Sequence, residues 1–250
     1  MEQYEALASV YDELMYDVPY KKWADYIVLL LEKNGVPNGK VLEYACGTGN
    51  ITLGLAQAGF DLVATDVSPE MLDVARAKLR AAAYNPQFVC ADMAKVWLEN
   101  AADAAVCACD GVNYLLDKKK LESFFARVQQ NLKPHGVFLF DISSAYKLET
   151  LLGNEFFYDD GDTQTVFWQN SYDKAGRRVT MEITLFIKNE QVYHRLEETH
   201  VQRAWMMDEL EAALIKSGFD VMGVFGFLTE EKPDADVERI QFVAKKKETT

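Results

Sequence analysis

The chain has 250 residues, 49% of them hydrophobic and 12% aromatic, which excludes a disordered protein and is sufficient for the core of an α/β domain. Its formal net charge of −13 argues against a nucleic-acid partner, because an acidic surface repels phosphate backbones. No apolar run approaches the ~20 residues of a membrane span, and no basic stretch leads into an apolar one at the amino terminus. We therefore expect a cytoplasmic protein without membrane association.

The cysteine pattern gives no sign of a metal site. Metal-binding cysteines usually occur as two C-x-x-C pairs, and neither pair is present here. We expect reduced thiols in or beside buried strands, as in a cytosolic protein, and no metal. The four cysteines are Cys46, Cys90, Cys107 and Cys109.

Two helices separated by a proline are predicted at the amino terminus, over Tyr4–Tyr16 and Tyr20–Glu32. Aromatic residues recur along both, among them Tyr11 and Trp23. Most of these side chains are expected to pack against the core. So many aromatic residues near a ligand-binding edge also favour a lid, and we assign residues 1–36 to it.

From Val41 to Ser143, short apolar runs alternate with amphipathic stretches, which is typical of parallel strands covered by helices on both faces. Ser68 followed by Pro69 marks one helix start, as an N-cap and a first-turn proline. Right-handed crossovers then build a parallel sheet. The predicted strands are Val41–Ala45, Asp61–Asp66, Gln87–Asp92, Ala104–Asp110 and Gly136–Ile142, and the predicted helices are Ile51–Ala58, Pro69–Ala83 and Leu121–Leu132.

After Gly153, polar and apolar residues alternate between short turns, which is typical of antiparallel strands. These strands are predicted at Phe156–Tyr158, Thr165–Tyr172, Arg178–Lys188 and Val192–Arg203. A helix over Asp208–Ser217 and strands over Phe219–Phe227 and Arg239–Ala244 follow. We predict an α/β protein of one domain with a Rossmann-like, mostly parallel seven-stranded sheet. Its core comprises 37–153 and 204–250, and an antiparallel meander is inserted at 154–203.

The segment 41–50 is the most informative stretch of the chain. An apolar strand carries Glu43 near its carboxyl end and leads into a turn that contains Gly47 and Gly49. Glycine allows a sharp turn and close approach to a ligand, and ligands bind at the carboxyl ends of strands in such sheets. A carboxylate there suits a cationic amine, as in S-adenosylmethionine. A dinucleotide is disfavoured because Thr52 replaces the third glycine of the G-x-G-x-x-G motif.

Acidic residues recur at the ends of four successive predicted strands: Glu43, Asp66, Asp92 and Asp110. One such residue alone would fit a loop cap, just as the glycine turn alone would fit a strand-to-helix connection. Four of them along the edge where a ligand crevice should lie favour a binding site. Asp66 is placed to accept the hydroxyls of a ribose.

These motifs resemble those of class I S-adenosylmethionine-dependent methyltransferases, and the amino-terminal tyrosines are similar to those of small bacterial members such as the sugar N-methyltransferases. The resemblance covers residues 41–142 closely and the last strands in architecture. Ala45 departs from it mildly, because many members carry glycine there. The cofactor-binding residues that the resemblance implies are Tyr11, Trp23, Glu43, Ala45, Gly47, Gly49, Asp66, Val67, Met71, Asp92, Met93, Asp110 and Asn113.

Methyl transfer depends mainly on positioning, which can supply about 7–11 kcal/mol in favourable cases. An amine acceptor must also lose a proton, so a general base can take part. The candidates for this role are His194, His200, Tyr114, Asp141 and Glu197, although a solvent-facing polar strand would equally explain the histidines. Trp168, Tyr172 and Tyr193 either line an acceptor pocket or pack between the sheets.

We therefore expect a methyltransferase that moves a methyl group from S-adenosylmethionine to a nitrogen or oxygen of a small molecule, with the meander over the acceptor site. A monomer or a homodimer is compatible with the sequence. The alternatives are a cofactor-binding regulatory or assembly protein without turnover, an RNA or protein methyltransferase, and a nicotinamide-dependent oxidoreductase.

Overall fold

A computed structural model describes residues 7–8 and 10–248. Its helices are α1 (Tyr11–Leu14), α2 (Tyr20–Lys33), α3 (Asn50–Gln57), α4 (Pro69–Ala81), α5 (Lys118–Asn131) and α6 (Met207–Lys216). Its strands are β1 (Lys40–Tyr44), β2 (Asp61–Asp66), β3 (Gln87–Cys90), β4 (Ala102–Cys107), β5 (Leu132–Ser143), β6 (Phe156–Asp160), β7 (Gln164–Asp173), β8 (Arg178–Asn189), β9 (Val192–Arg203), β10 (Phe219–Gly226) and β11 (Arg239–Lys246).

The predicted α/β fold is confirmed. A 7-stranded sheet has the order β3-β2-β1-β4-β5-β11-β10. Strands β1 to β5 run parallel to their neighbours within this group, whereas β11 is antiparallel to both β5 and β10. The carboxyl ends of β1 to β5 therefore meet at one edge, where a ligand crevice is expected.

Strand β5 shows why the apolar runs are nearly continuous. Phe138 and Phe140 point into one core layer, in which their rings stack with a centroid distance of 4.9 Å. Val137 and Leu139 point into the layer on the opposite face. Because successive side chains of a strand face opposite sides, a strand with helices on both faces needs apolar residues at every position.

The prediction of a long first helix was wrong for the described residues. Only the single turn α1 is helical, and it is flanked by other turns; Tyr4, where the helix was predicted to begin, lies outside the described residues. No side chain caps the helix at Val10. The second predicted helix is present as α2, with its end one residue later. Among the described residues, no helix combines the length and apolarity needed to cross a membrane.

The inserted meander is a separate 4-stranded antiparallel sheet in the order β6-β7-β8-β9. One of its faces is apolar, with Val166, Ile183 and Leu185 packed against Leu7 and Val10 of the amino-terminal segment. This contact places the meander beside the amino-terminal residues.

Candidate active site

A cavity of about 370 Å³, here called the first cavity, opens at the carboxyl ends of β1 to β4. The predicted cofactor residues that line it are Tyr11, Glu43, Ala45, Gly47, Asp66, Val67, Met71, Asp92 and Met93. Cys109, Gly111 and Lys120 line it as well, although the sequence motifs did not indicate them. Gly111 directly follows Asp110, one of the acidic residues at the predicted strand ends. Its position in the sequence could therefore have indicated that it lines the site.

Glu43 is the most unusual group of the first cavity. Its side chain lies at the end of β1 and is only 1% exposed. Its Oε2 has no hydrogen-bond partner among the described residues. Burial and the nearby carboxylate of Asp66 together raise the pKa of Glu43 to about 8, although an interaction with the Thr52 side chain opposes the shift. A cationic ligand stabilises a buried carboxylate of this kind, because the ligand's charge compensates for the hydration that the carboxylate loses on burial.

The two glycines of the turn have different roles. Gly47 has φ +54°, and a Cβ added there would meet nothing within 4 Å, so its backbone is open to the first cavity. Gly49 has φ +79°, and its added Cβ would lie 3.0 Å from the Cβ of Ala75 on α4. Gly49 therefore allows close packing of the helix rather than contact with a ligand. Ala45 is also left-handed, with φ +50°, a conformation that costs an alanine about 1–2 kcal/mol.

Asp66 fixes the glycine turn from the neighbouring strand. Its Oδ2 accepts a 2.8 Å hydrogen bond from the Gly47 backbone N–H, and its Oδ1 accepts one of 3.0 Å from Ser68. The Ser68 hydroxyl in turn caps α4 by accepting from Met71 N–H at 3.1 Å. Burial raises the pKa of Asp66, while these backbone hydrogen bonds oppose the shift. The carboxylate thus holds the turn and borders the cavity at the same time.

The first cavity fits S-adenosylmethionine by its chemistry. The unpartnered Oε2 of Glu43 suits an α-ammonium, and Asp66 lies at the strand end where ribose hydroxyls are accepted. Apolar side chains of Val67, Met71 and Met93 line the same cavity and provide an apolar surface for the adenine ring.

A second cavity of about 510 Å³ adjoins the first and is lined by the amino-terminal segment, the ends of central strands and the meander. Both cavities share four lining residues: Tyr11, Tyr20, Cys109 and Tyr114. Trp23, Asp110 and Trp168 line the second cavity. Trp23 and Asp110 were predicted to bind the cofactor, but they do not line the first cavity.

Of the candidate bases, His200 and Tyr114 line the second cavity. His200 Nε2 lies 2.9 Å from Glu198 Oε2, and the Tyr114 ring meets the imidazole edge-on with centroids 6.1 Å apart. His194 and Glu197 are exposed on the same strand and line neither cavity.

The structure corrects the suggested role of Asp141 as a base. Asp141 is fully buried, and its two oxygens accept backbone N–H groups of Cys109 at 3.0 Å and Asp110 at 2.9 Å. It also pairs with Arg239. Both Cys109 and Asp110 are left-handed, with φ +58° and +54°, so Asp141 pins a strained turn after β4.

Arg239 on β11 holds this turn from a second direction. Its Nη2 lies 2.7 Å from Asp110 Oδ1, and its guanidinium lies 4.6 Å from the centre of the Trp23 ring. Gln202 of the meander donates to Asp110 Oδ2 at 2.6 Å. The carboxylate of Asp110 is thus committed to protein groups.

Asn113 is a structural residue and lines neither cavity. Its amide exchanges hydrogen bonds with the Ser143 backbone at 3.0 Å and donates to the Arg203 carbonyl at 2.9 Å. Tyr172 and Tyr193 also lie outside both linings. The structure therefore gives no support for a cofactor role of Asn113.

Two contacts that hold the amino-terminal segment are here called the clasp. Asp12 accepts from Thr48 at 2.7 Å and pairs with Lys78 at 2.7 Å. Burial opposes ionisation, but the hydrogen bonds from Lys78, Thr48 and a neighbouring asparagine hold the pKa of Asp12 below its ordinary value. In the second contact, Leu7 N–H donates to Glu198 Oε1 at 2.7 Å.

The sequence also matches known methyltransferases. Residues 41–136 match the family described as a methyltransferase domain. This match and the relatives described next, together with the fold and the first cavity, show that the chain belongs to the class I S-adenosylmethionine-dependent methyltransferases. Its cofactor is S-adenosylmethionine.

The relatives extend over nearly the whole chain. A putative methyltransferase of Bacillus subtilis (strain 168), YqeM, is 34% identical, and the match covers 98% of each chain. A crystal structure of an S-adenosylmethionine-dependent methyltransferase from Clostridium acetobutylicum ATCC 824 is 33% identical with a TM-score of 0.89, covering 98% of this chain and 99% of that chain. The sugar N-methyltransferase KedS8 from Streptoalloteichus shares the fold, with 20% identity, a TM-score of 0.78 and coverage of 94% and 92%.

Proposed function

We propose that this methyltransferase modifies a nitrogen or oxygen nucleophile of a small molecule bound in the second cavity. The observation that carries the proposal is the wall shared by the two cavities, formed by Tyr11, Tyr20, Cys109 and Tyr114. The volume of about 510 Å³ lies within the usual range for small-molecule sites. A donor in one cavity and an acceptor in the other would meet at this wall.

When bound, the cofactor would supply a methyl group on a positively charged sulfur. The acceptor's lone pair would bond to the methyl carbon, and the electron pair of the broken carbon–sulfur bond would stay on sulfur. We assign Glu43 to its ammonium and Asp66 to its ribose, with Gly47 as the backbone cradle. The adenine ring of the cofactor is assigned to a part of the cavity lined by Val67, Met71, Asp92 and Met93. Tyr11 and Tyr20 exclude water from the shared wall.

We assign His200 as the group that takes the acceptor's proton, oriented by Glu198. Replacing His200→Asn should lower kcat about 100-fold or more, because general bases typically contribute 10²–10⁴-fold. The dissociation constant of S-adenosylmethionine, measured by calorimetry, should not change. His194→Asn is the matched control on the same strand and should retain full kcat. An unchanged kcat in His200→Asn would remove the base role.

We propose that the enzyme acts in the cytoplasm, as a monomer or a homodimer. All four cysteines are free thiols, which is compatible with a reducing compartment. Cys90, expected beside a buried strand, is exposed at the end of β3.

The direct test incubates the enzyme with methyl-labelled S-adenosylmethionine and a cell extract divided into small molecules, RNA and protein. The label should enter the small-molecule fraction, and Asp66→Ala should abolish the transfer. Label in RNA or protein would favour a macromolecular acceptor. Intact cofactor binding without any labelled product would identify a binding protein without turnover.

A further inference from the structure

The charges of the second cavity are unbalanced at its rim. Asp17 and Asp159 both line the cavity and are exposed to solvent. Neither carboxylate forms an ion pair within residues 7–8 and 10–248. They come from different parts of the chain, the turn before α2 and strand β6, and both contribute to the lining of this cavity.

The cationic side chains of the same lining are already neutralised. Arg239 pairs with both Asp110 and Asp141. Lys147 Nζ lies 3.8 Å from a carboxylate oxygen of Glu238. The described lining therefore offers no unpaired cation to a phosphorylated or carboxylated acceptor, and the net charge of −13 adds to the negative potential at the opening.

Aromatic side chains accompany the two carboxylates. Tyr16, Phe157 and Tyr158 line the second cavity although they are 85%, 40% and 55% exposed. Tyr16 precedes Asp17 in the chain, and the other two precede Asp159. Exposed aromatic rings next to carboxylates attract ammonium groups, since the negative ring face and the carboxylate charge act in the same direction.

One part of the second cavity is apolar. Leu14, Val166, Met181 and Ile183 contribute aliphatic surface to its lining. Such a wall stabilises an apolar body by about 25 cal/mol per Å² of surface removed from water.

We infer that the methyl acceptor is an organic cation: its ammonium group binds near Asp17 and Asp159 at the aromatic rim, and its apolar body lies against the aliphatic part of the second cavity. The nucleophilic nitrogen or oxygen then lies at the wall shared with the first cavity. This inference rests on the proposed function, because it assumes that the second cavity holds the acceptor.

The test separates a small-molecule extract into cationic, neutral and anionic pools by ion exchange. Each pool is incubated with the enzyme and methyl-labelled S-adenosylmethionine. The label should appear in the cationic pool. For the purified labelled compound, the double variant Asp17→Asn/Asp159→Asn should raise KM about tenfold or more with kcat nearly unchanged, and added salt should raise the KM of the wild type.

The matched control is Asp61→Asn/Glu99→Gln, which also removes two exposed carboxylates that form no ion pair in the described part of the chain. Its KM should equal that of the wild type. Label in the neutral or anionic pool, or an unchanged KM in the rim variant, would overturn the inference while the proposed function stands. No label in any pool, with cofactor binding intact, would overturn the proposed function and the inference with it.

Discussion

The two cavities are assembled in different ways. Much of the first is lined by residues that directly follow parallel strands, so segments that are close in the chain meet there: Gly47 and Asp66 are 19 positions apart. In the second, Gln202 reaches Asp110 over 92 positions and Arg239 reaches it over 129. Cofactor binding is thus a property of local segments, whereas the acceptor side depends on a buried charge network between distant elements.

Arg239→Met breaks the network at its centre and should have the largest effect. It leaves Asp110 and Asp141 without their cation, and uncompensated buried charges of this kind cost about 3–5 kcal/mol. Urea unfolding measures the loss of free energy. Adding Asp110→Asn should restore part of it.

The control for this prediction is Arg195→Met, which removes the exposed ion pair with Glu197 on β9. Exposed pairs contribute about 0–1 kcal/mol, so this variant should be nearly as stable as the wild type. Equal losses for Arg239→Met and Arg195→Met would show that the network does not hold the acceptor side.

Glu43→Gln probes the first cavity without changing its shape. The affinity for S-adenosylmethionine should fall about 100-fold, since removing one partner of a buried charge pair costs about 2–5 kcal/mol. Calorimetric titration measures the loss, and Glu99→Gln is the exposed control. Retention of the wild-type affinity would contradict the assignment of Glu43 to the ammonium.

The same substitution should stabilise the free protein. Folding raises the pKa of Glu43 from 4.5 to about 8, so the folded state binds more protons than the unfolded state between these values. The wild type should therefore lose free energy of unfolding relative to Glu43→Gln as the pH rises from 4.5 to about 8. Thermal unfolding of both proteins across this window checks the sign.

Asp12→Asn weakens the clasp and should have a smaller effect. Hydrogen bonds to charged groups contribute about 1.5–3 kcal/mol, of which part remains with asparagine, so we expect S-adenosylmethionine to dissociate about fivefold faster. Stopped-flow mixing measures this rate. Because the pKa of Asp12 lies below 3.8, the clasp should persist in the wild type until the pH falls below that value. Glu99→Gln, which removes an exposed carboxylate that lines neither cavity, should leave the rate unchanged.

Ala45→Gly should have the smallest effect, a gain of about 0.5–1 kcal/mol in the free energy of unfolding. Glycine relieves the left-handed strain at φ +50°, although it loses more conformational entropy on folding than alanine does. Ala81→Gly, at the end of α4, carries only the entropy cost and should destabilise by a similar amount. A loss of stability in both variants would show that Ala45 is unstrained.

The sequence predicted the central sheet, and nine of the thirteen predicted cofactor residues line the first cavity, because hydrophobic period and strand ends are local signals. Glu43 and Asp66 could be assigned without knowing any distant contact. Asp141 could not, because its buried place beside Arg239 depends on the pairing of β5 with β11. Asn113 was likewise predicted to bind the cofactor, because its hydrogen bonds with Ser143 join positions that are 30 residues apart.

The clasp has a further consequence for turnover. Tyr11 borders both cavities, and the segment that carries it is fastened to the glycine turn through Asp12 and to the meander through Leu7. If this segment moves away so that the demethylated cofactor can leave, the second cavity loses part of its lining in the same movement. Exchange of the two ligands is then coupled, and a half-emptied enzyme should hold its remaining ligand less tightly than a filled one.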